Sequence, residues 1–325
     1  MTSVILTTSP TFATIGGLSE RIAADGYTLV RFPQVDAGYM EALASASFLV
    51  AGLPPVDAAT IAAAPHLKGI LKHGFGLDSI DIDAASRAGL AVTSTPGANA
   101  QAVAELALGA IFALSRNTVA GHESVAQGGW HRRRGREVAG CTLGILGFGQ
   151  IGQRLARIAR GVGMQVMAHD AYPVPDAARE IGVELVAFDT LLARADHLSL
   201  HISGGPSSTG LIGSQALARI KPGACLLNFA RGSIVDLDAL AHALGSGHLG
   251  GAALDAFVEE PPDISHAIFA LPNTLFSPHS GADTAESIQR MGAMVYEDIQ
   301  TLAHGHWPDR TVNTAAAGRS SGPAG

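Results

Sequence analysis

Short apolar segments alternate with helical patterns along almost the whole chain. In the first half, the candidate strands are Val4–Leu6, Thr28–Val30, Ser47–Val50, Gly69–Leu71 and Leu90–Thr93. In the second half, they lie at residues 142–146, 165–169, 197–200, 224–228 and 250–254. Because repeated strand–helix units build parallel sheets, the pattern predicts an α/β protein that binds ligands at the carboxyl ends of its strands.

Two longer helical patterns and two polar stretches complete this organisation. Residues Asn99–Leu114 and Ala282–Ala303 carry apolar side chains at helical spacing. The arginine-rich stretch Gly128–Arg136 is expected to form an exposed crossing. Residues 314–325 are rich in alanine, glycine and serine, so we expect a disordered tail there.

The strand at residues 142–146 runs directly into a glycine-rich turn that opens a helical pattern. In such a turn, Gly147 allows the tight bend, Gly149 lets a pyrophosphate approach the backbone, and Gly152 lets helix and strand pack closely. Amide groups at the helix start would then face the phosphates. The residues expected there are Gly147, Gly149, Gln150, Ile151 and Gly152. Glycine-rich turns without a ligand are common, so the motif needs support from its surroundings.

That support comes from Asp170, which ends the second candidate strand 18 residues after Gly152. A carboxylate at this position accepts hydrogen bonds from the adenosine ribose hydroxyls and repels a 2′-phosphate. The sequence therefore predicts a dinucleotide site that prefers NAD to NADP.

Three short motifs further along the chain carry residues suited to acid/base chemistry. Arg231 follows a candidate buried strand, and its guanidinium could grip a carboxylate at two points, although it could instead cap a helix or pair with Asp236. His279 could act as a general acid/base or be structural. Glu259 and Glu260 could tune that histidine or form a solvated acidic turn. Together these are the groups needed to interconvert a 2-hydroxy acid and a 2-keto acid beside a hydride carrier.

Composition and charge narrow the class of protein. Of the 325 residues, 47% are hydrophobic and 15% charged, which is typical of a globular protein of about two domains. The net charge of −7 provides no basic face, so we expect no nucleic-acid partner and no anionic lipid partner. Cys141 and Cys225 are too few for a disulfide framework and lack metal-ligand spacing, so we expect a cytoplasmic protein without a metal.

The apolar segments do not predict a membrane protein. The longest of them, Ala102–Leu114, is too short for a membrane span and contains Glu105. The N-terminal residues lack a basic region and a cleavable apolar stretch, and their pattern is that of a first strand. We therefore expect a soluble protein.

Several motifs in a fixed order resemble one family of dehydrogenases. They are His73–Asp78, Thr95–Asn99, Val103–Glu105, the glycine-rich turn, Asp170, His201 and the motifs around Arg231, Glu260 and His279. Over about residues 45–313, the chain resembles the D-isomer-specific 2-hydroxyacid dehydrogenase family, in particular its phosphoglycerate dehydrogenase-like group.

The resemblance implies a discontinuous architecture of two doubly wound parallel sheets. Residues 1–96 and 285–313 would form a flavodoxin-like substrate domain. Residues 97–284 would form a Rossmann NAD-binding domain inserted into it. Members of the family form homodimers largely through the NAD-binding domains, so we expect a homodimer here.

The resemblance also implies a role for each site residue. His279 would exchange a proton with the substrate oxygen, and Arg231 would hold the substrate carboxylate. Glu260, rather than Glu259, matches the acid that hydrogen bonds the histidine, and a carboxylate there favours the protonated ring. His201 is expected to shape the nicotinamide pocket. The expected cofactor contacts are Val103, Gly147, Gly149, Gln150, Ile151, Gly152, Asp170, His201, Ile202, Phe229, Ala230, Arg231, Asp255, His279 and Gly281. The expected substrate contacts are Gly74, Phe75, Gly76, Asn99 and Arg231.

The substrate is predicted to be a small, unphosphorylated acid such as hydroxypyruvate or glyoxylate. Phosphoglycerate dehydrogenases of the family hold the phosphate with an arginine-bearing turn, whereas the corresponding turn here, Ala51–Pro55, carries no positive charge. The chain is also too short to include the regulatory domain that some of them carry, so we expect none here. Lys72, or Arg132–Arg134 with Arg136 from a neighbouring subunit, could replace the missing charge, so 3-phosphoglycerate remains the alternative substrate. An NAD(H)-sensing binding protein without turnover is the alternative of a different class.

Overall fold

The computed structural model describes residues 3–32, 35–36 and 38–314. Most of the predicted disordered tail, residues 314–325, therefore lies outside the described residues. By their internal contacts, the described residues divide into two compact units. One unit, here the outer unit, contains the residues up to Asn99 and those from Asp283 onward, and the other, the inserted unit, contains Ala100–Ala282.

Strands and helices alternate along the described chain, as the apolar pattern predicts. The strands are β1 Val4–Thr7, β2 Thr28–Arg31, β3 Phe48–Ala51, β4 Gly69–Lys72, β5 Ala91–Thr93, β6 Thr142–Leu146, β7 Gln165–His169, β8 Glu184–Leu185, β9 His197–Leu200, β10 Cys225–Asn228, β11 Gly251–Leu254 and β12 Thr274–Phe276. The α-helices are α1 Leu18–Ala24, α2 Tyr39–Ser45, α3 Ala58–Ala62, α4 Ile82–Arg87, α5 Ala100–Arg116, α6 Thr118–Ala126, α7 Gln150–Gly161, α8 Pro175–Ile181, α9 Phe188–Arg194, α10 Ser214–Arg219, α11 Leu237–Gly245 and α12 Ala285–Ala303.

The outer unit is a five-stranded parallel sheet in the order β2-β1-β3-β4-β5. One face packs against α2, α3 and α4, and the other packs against α1 and α12. Because both faces are covered, strands such as β3 and β4 are apolar along almost their whole length and buried. The strand order is the flavodoxin-like one, and it confirms the predicted fold of this part of the chain.

The inserted unit is a seven-stranded parallel sheet in the order β12-β11-β10-β9-β6-β7-β8. Helices α5, α7 and α8 cover one face, and α9, α10 and α11 cover the other. The strand order reverses between β6 and β9, as in a Rossmann fold, and this reversal opens a crevice at the carboxyl ends of the strands. The predicted Rossmann fold is therefore confirmed.

Two edge strands and one helix start differ from the sequence predictions. The sequence analysis did not predict β8 or β12, since they have two and three residues and lack a continuous apolar run. The last helix begins at Ala285 rather than at Ala282 because the Thr284 side chain accepts a hydrogen bond from the Ser287 N–H at 3.2 Å and caps the helix there.

Within the described part of the chain, no single helix is long and apolar enough to cross a membrane. Helices α5 and α6 are long and apolar enough to cross a membrane only when they are taken together, and they are bent by 64° relative to each other. The arginine-rich stretch that follows them, Gly128–Arg136, contains no helix or strand beyond a short turn and is largely exposed, as predicted.

Candidate active site

The glycine-rich turn lies at the point where the strand order of the inserted unit reverses. A Cβ at Gly147, where φ is 99°, would lie 2.6 Å from the backbone carbon of His201 after β9. A Cβ at Gly152 would lie 2.2 Å from the carbonyl oxygen of Gly147. These two glycines therefore let strand, turn and helix approach closely. At Gly149, the space around a Cβ is open, and this residue begins α7 without a side-chain cap. The turn thus leaves room and main-chain donors for an anionic group.

Asp170, at the end of β7, is oriented by two main-chain groups. Its Oδ2 accepts a hydrogen bond from the Phe148 N–H at 2.6 Å, and its Oδ1 accepts one from the Tyr172 N–H at 2.8 Å. A carboxylate has about four acceptor positions, so acceptor capacity remains for a ligand hydroxyl. The first bond links the carboxylate directly to the glycine-rich turn.

His201, after β9, is half-buried, and its environment favours the neutral imidazole. Its Nε2 lies 2.8 Å from the Ser199 hydroxyl, and burial lowers the pKa of its imidazole to about 3. The ring is therefore neutral at physiological pH, and its buried Nδ1 has no partner among the described residues. This environment fits the predicted role of His201 as a pocket residue.

Arg231 lies in a turn that the end of β10 holds rigidly. The buried Asn228 side chain accepts a hydrogen bond from the Ala230 N–H at 3.2 Å and donates one to the Arg231 carbonyl at 2.9 Å. The Arg231 guanidinium donates to the Ala230 carbonyl at 2.8 Å. Asp236, the alternative partner considered for Arg231, caps α11 by accepting from the Ala239 N–H at 3.0 Å. The turn thus places a guanidinium just past the carboxyl end of a buried strand.

Glu260 and His279 form a hydrogen-bonded pair. The Nδ1 atom of His279 lies 2.9 Å from each carboxylate oxygen of Glu260, and the Phe257 N–H donates to Oε1 at 3.0 Å. Glu260 and His279 retain 27% and 31% side-chain exposure, so the pair is reachable from solvent. No hydrogen bond from the described residues reaches the Nε2 atom of His279. Glu260, rather than Glu259, is the acid bonded to this histidine.

The environment of Glu260 keeps its carboxylate ionised. Burial raises its pKa, but hydrogen bonds from His279 and from the Phe257 N–H, together with the positive charges of His279 and Arg231, outweigh burial and hold the pKa below its usual value. The positive charge of Arg231 is the smallest of these contributions.

Asp255 holds the backbone segment that carries His279. This buried carboxylate accepts hydrogen bonds from the Ser277 hydroxyl at 2.6 Å and from the Ser280 and Gly281 N–H groups at 2.9 Å each. Within that segment His279 adopts a left-handed conformation with φ of 51°. Sequence reasoning named Asp255 only as a cofactor contact and missed this positioning role. The available signal was an acid directly after an apolar strand.

All of the expected cofactor contacts lie in the inserted unit. Val103 on α5 packs close to Gly281, and Ile202, Phe229 and Ala230 follow the ends of β9 and β10. Of the expected substrate contacts, Arg231 belongs to this unit, while Gly74, Phe75, Gly76 and Asn99 belong to the outer unit. In the outer unit, the Gly74 carbonyl accepts from the Thr95 N–H at 3.0 Å, and Phe75 is 48% exposed. The ligand contacts assigned to these residues stay predictions.

Comparison with known proteins gives a consistent result. Residues 108–281 match the family described as D-isomer specific 2-hydroxyacid dehydrogenase, NAD binding domain. The chain is 41% identical over 269 residues to D-3-phosphoglycerate dehydrogenase of Mycobacterium leprae, a match that covers 82% of this chain and 51% of that protein. The chain thus spans about half the length of this relative. It is 39% identical over 267 residues to glyoxylate reductase of Thermococcus litoralis, covering 79% of this chain and 80% of that protein.

Solved structures share the whole fold. A Thermus thermophilus protein of known crystal structure has a TM-score of 0.87 at 32% identity, covering 95% of this chain and 99% of that one. A glyoxylate reductase from Paecilomyes thermophila has a TM-score of 0.85 at 29% identity, covering 97% of this chain and 99% of that one.

Proposed function

The chain belongs to the D-isomer specific 2-hydroxyacid dehydrogenase family, and we propose on that premise that it is an NAD-dependent oxidoreductase that interconverts a small 2-hydroxy acid and its 2-keto acid. The observation that carries this proposal is the Glu260–His279 pair, held 2.9 Å apart in the same unit as Arg231 and the glycine-rich turn. A general acid/base, a carboxylate clamp and a nucleotide site are the parts that this reaction requires.

The inserted unit fits NAD. When bound, NAD supplies the acceptor or donor of the hydride. The open space at Gly149 and the uncapped start of α7 suit its pyrophosphate, and Asp170 suits the adenosine ribose. Because the Asp170 carboxylate would repel a 2′-phosphate, we expect kcat/KM to be higher with NADH than with NADPH. Equal kcat/KM values for NADH and NADPH would show that Asp170 does not discriminate against the 2′-phosphate.

His279 would carry the proton that accompanies the hydride. Since Glu260 is ionised, it accepts hydrogen bonds only, so the Nδ1 atom of His279 carries a proton toward it. That bond fixes the ring orientation and leaves Nε2 as the nitrogen that exchanges a proton with the substrate oxygen. In reduction, Nε2 donates its proton to the carbonyl oxygen, and in oxidation it removes the proton of the hydroxyl.

Arg231 would bind the substrate carboxylate. Its guanidinium presents a planar fork that matches a carboxylate at two points. The turn that Asn228 holds limits the positions the guanidinium can take, so the substrate would bind with C2 at a defined place.

The outer unit supports an unphosphorylated substrate such as hydroxypyruvate or glyoxylate. Lys72, the candidate phosphate ligand on the same unit, is 8% exposed and donates hydrogen bonds to the Gly52 carbonyl and, at 3.2 Å, to the Ser79 hydroxyl. The turn Ala51–Pro55 adds no positive charge. A 3-phosphoglycerate dehydrogenase is the second candidate, favoured by the identity with the Mycobacterium leprae protein of that name.

The test is steady-state oxidation of NADH by the purified chain with a panel of 2-keto acids. We expect turnover with hydroxypyruvate or glyoxylate and a lower kcat/KM with 3-phosphohydroxypyruvate. A higher kcat/KM with the phosphorylated acid would establish the second candidate. NADH binding without turnover of any 2-keto acid would favour the NAD(H)-sensing alternative.

We propose a homodimer formed through the inserted unit. Helix α6 has no buried residue, and four large hydrophobic side chains are exposed along the stretch that comprises the end of α5, α6 and the residues after it. These residues are Phe112, Val119, Val125 and Trp130, with exposures of 39%, 43%, 56% and 75%. Several exposed large apolar side chains in one stretch of the chain suit an interaction surface. Analytical ultracentrifugation should show a dimer that Trp130→Ser weakens and that Tyr172→Ser, a change at another highly exposed aromatic residue elsewhere, leaves intact.

The cytoplasm is the proposed location. Cys141 and Cys225 carry free thiols, which fits a reducing compartment. Fractionation of the source cells with antibody detection tests this, and recovery of the protein outside the cytoplasmic fraction would contradict it.

A further inference from the structure

The turn that carries Arg231 and the segment that carries Glu260 touch through their backbones at Gly232. A Cβ on Gly232 would lie 2.1 Å from the carbonyl carbon of Phe257 and 2.3 Å from the nitrogen of Val258. Real Cβ atoms essentially never come this close to other heavy atoms, and backbone atoms cannot rotate away as a flexible side chain can. A side chain of any size at residue 232 would therefore displace the segment that begins at Phe257.

The Phe257 side chain of the same segment packs against two other aromatic rings. The Phe257 ring stacks on Phe269 with 5.9 Å between centroids, and Phe269 lies 4.7 Å from Phe276 at the end of β12. Phe257 and Phe276 are 6.2 Å apart. Phe276 is three residues before His279. The rings thus connect the segment that carries Glu260 with the strand that leads to its partner.

We propose that Gly232 is a positioning residue for the acid/base pair. Its missing side chain lets the Arg231 turn lie against Phe257, and this contact sets the Phe257 N–H that donates to Glu260 Oε1 at 3.0 Å. This backbone contact then joins the turn that carries the carboxylate clamp directly to the segment that carries Glu260. This inference rests on the proposed function for its catalytic meaning, while the structural coupling itself is independent of any substrate.

The coupling predicts a measurable change at Glu260. The Phe257 N–H is one of the groups that hold the pKa of Glu260 below its usual value. When Gly232→Ala moves Phe257 away, this hydrogen bond weakens and the carboxylate titrates at higher pH. The complete loss of a hydrogen bond to a charged group corresponds to a rise of about 1–2 pH units, so a weakened bond should give a smaller rise.

The experiment compares Gly232→Ala with Gly245→Ala in the full-length chain. Gly245, at the end of α11, has no atom within 4 Å of a Cβ position, so its replacement is a matched control. The Glu side-chain carboxyl groups are followed by carbon-13 NMR against pH, and Glu260 is assigned by the signal lost in Glu260→Gln. We expect the Glu260 titration to move to higher pH in Gly232→Ala and to stay at the wild-type pH in Gly245→Ala.

Kinetics and a second variant complete the test. In Gly232→Ala we expect kcat to fall by roughly 3- to 30-fold, while KM for NADH stays nearly unchanged. The double variant with Glu260→Gln should be little slower than Glu260→Gln alone, because both changes act on the same group. If Gly232→Ala does not fold, Phe269→Leu loosens the same segment from the ring side and should move the titration in the same direction by less. A folded Gly232→Ala with the wild-type titration of Glu260 overturns the proposal, as does an unmoved titration in Phe269→Leu. Absence of turnover in the wild-type chain contradicts the proposed function alone, since the titration still decides the coupling.

Discussion

In the seven-stranded sheet, charged clusters lie both at the amino ends of the strands, here called the amino edge, and at their carboxyl ends, here called the carboxyl edge. The two clusters differ in how much hydrogen-bonding capacity and exposed surface their charged groups keep. At the amino edge, Asp196 precedes β9 and is 10% exposed. It accepts hydrogen bonds from Lys221 Nζ at 2.8 Å, from Arg136 Nη2 at 3.3 Å and from the Thr142 N–H at 2.8 Å. These bonds use most of the hydrogen-bond acceptor positions of the carboxylate. They connect the starts of β6 and β9 with the segment before β10.

At the carboxyl edge, the supporting bonds leave the charged groups accessible. Glu260 bonds one nitrogen of His279, and both side chains keep about a third of their surface exposed, at 27% and 31%. Asp255 bonds the segment that carries the histidine, and Asn228 bonds the turn that carries Arg231. A functional cluster is therefore recognised by the hydrogen-bonding capacity and the exposure that its supporting bonds preserve. Changes at the carboxyl edge should therefore alter turnover, and changes at the amino edge should alter stability.

The largest effect is expected for His279→Ala. Removing the group that exchanges the proton should lower kcat by roughly 10²- to 10⁴-fold. Binding of NADH, followed by fluorescence titration, should change less than about threefold because the glycine-rich turn and Asp170 are intact. Retention of kcat within a factor of about five would show that another group transfers the proton.

A smaller but still large effect is expected for Arg231→Lys. An ammonium cannot reproduce the two-point contact of a guanidinium with a carboxylate. The loss of a charged hydrogen bond, about 1.5–3 kcal/mol, corresponds to a fall of about 10- to 150-fold in kcat/KM for the 2-keto acid. Steady-state kinetics check this, and an equal loss of affinity for NADH would instead indicate a general distortion of the site.

Glu260→Gln should change the pH dependence more than the rate at the optimum. Reduction requires the protonated imidazole, and removal of the neighbouring negative charge disfavours that form. The activity in reduction should therefore fall off at a lower pH than in the wild type. Glu259→Gln is the matched control, since this adjacent acid is not the one bonded to His279. A shift in the control and none in Glu260→Gln would reverse the assignment of the two acids.

The smallest effect on turnover, and the clearest effect on stability, is expected for Asp196→Asn. Burial raises the pKa of Asp196, but the hydrogen bonds from Lys221 and Thr142 and the charge of Arg136 outweigh burial and lower it. The Asp196 carboxylate therefore stabilises the folded state at pH values above its pKa in the unfolded chain, about 3.9. This stabilisation is lost as the pH falls through the lower pKa of the folded state. Asp196→Asn should lower Tm at pH 7 by about 3–10 °C and leave kcat within about twofold of the wild-type value. Below about pH 4, the Tm of the variant should fall less steeply with pH than the Tm of the wild type. Calorimetry across pH tests this, and an unchanged Tm would show that the cluster does not stabilise the fold.

The sequence predicted the fold well wherever an apolar run was long enough to bury a strand. The predicted strands at residues 142–146, 165–169 and 197–200 coincide with β6, β7 and β9. The edge strand β12 could not be predicted in this way because its three residues are only partly buried. Its place in the sheet is set by pairing with β11, which is a long-range contact.

The sequence named candidate site residues, but it did not reveal the long-range contacts that hold them. Motifs located Arg231, Glu260 and His279, since each lies next to strand ends or turn residues. The bonds of Asp255 to the segment of Ser280 and Gly281 span 25 and 26 residues, and the contact of Gly232 with Phe257 spans a similar distance. Such contacts depend on how the strand ends meet in three dimensions, which no local pattern encodes.

We propose that the carboxyl edge of the inserted unit directs hydride transfer to C2 of a 2-keto acid. The most direct test is reduction of hydroxypyruvate with NADH that carries deuterium at both C4 positions, followed by NMR and chiral analysis of the product. The account predicts D-glycerate with deuterium on C2, formed by the wild-type chain and reduced at least about 100-fold in rate in His279→Ala. Product without deuterium at C2, product of the L configuration, or equal rates in the two proteins would contradict it.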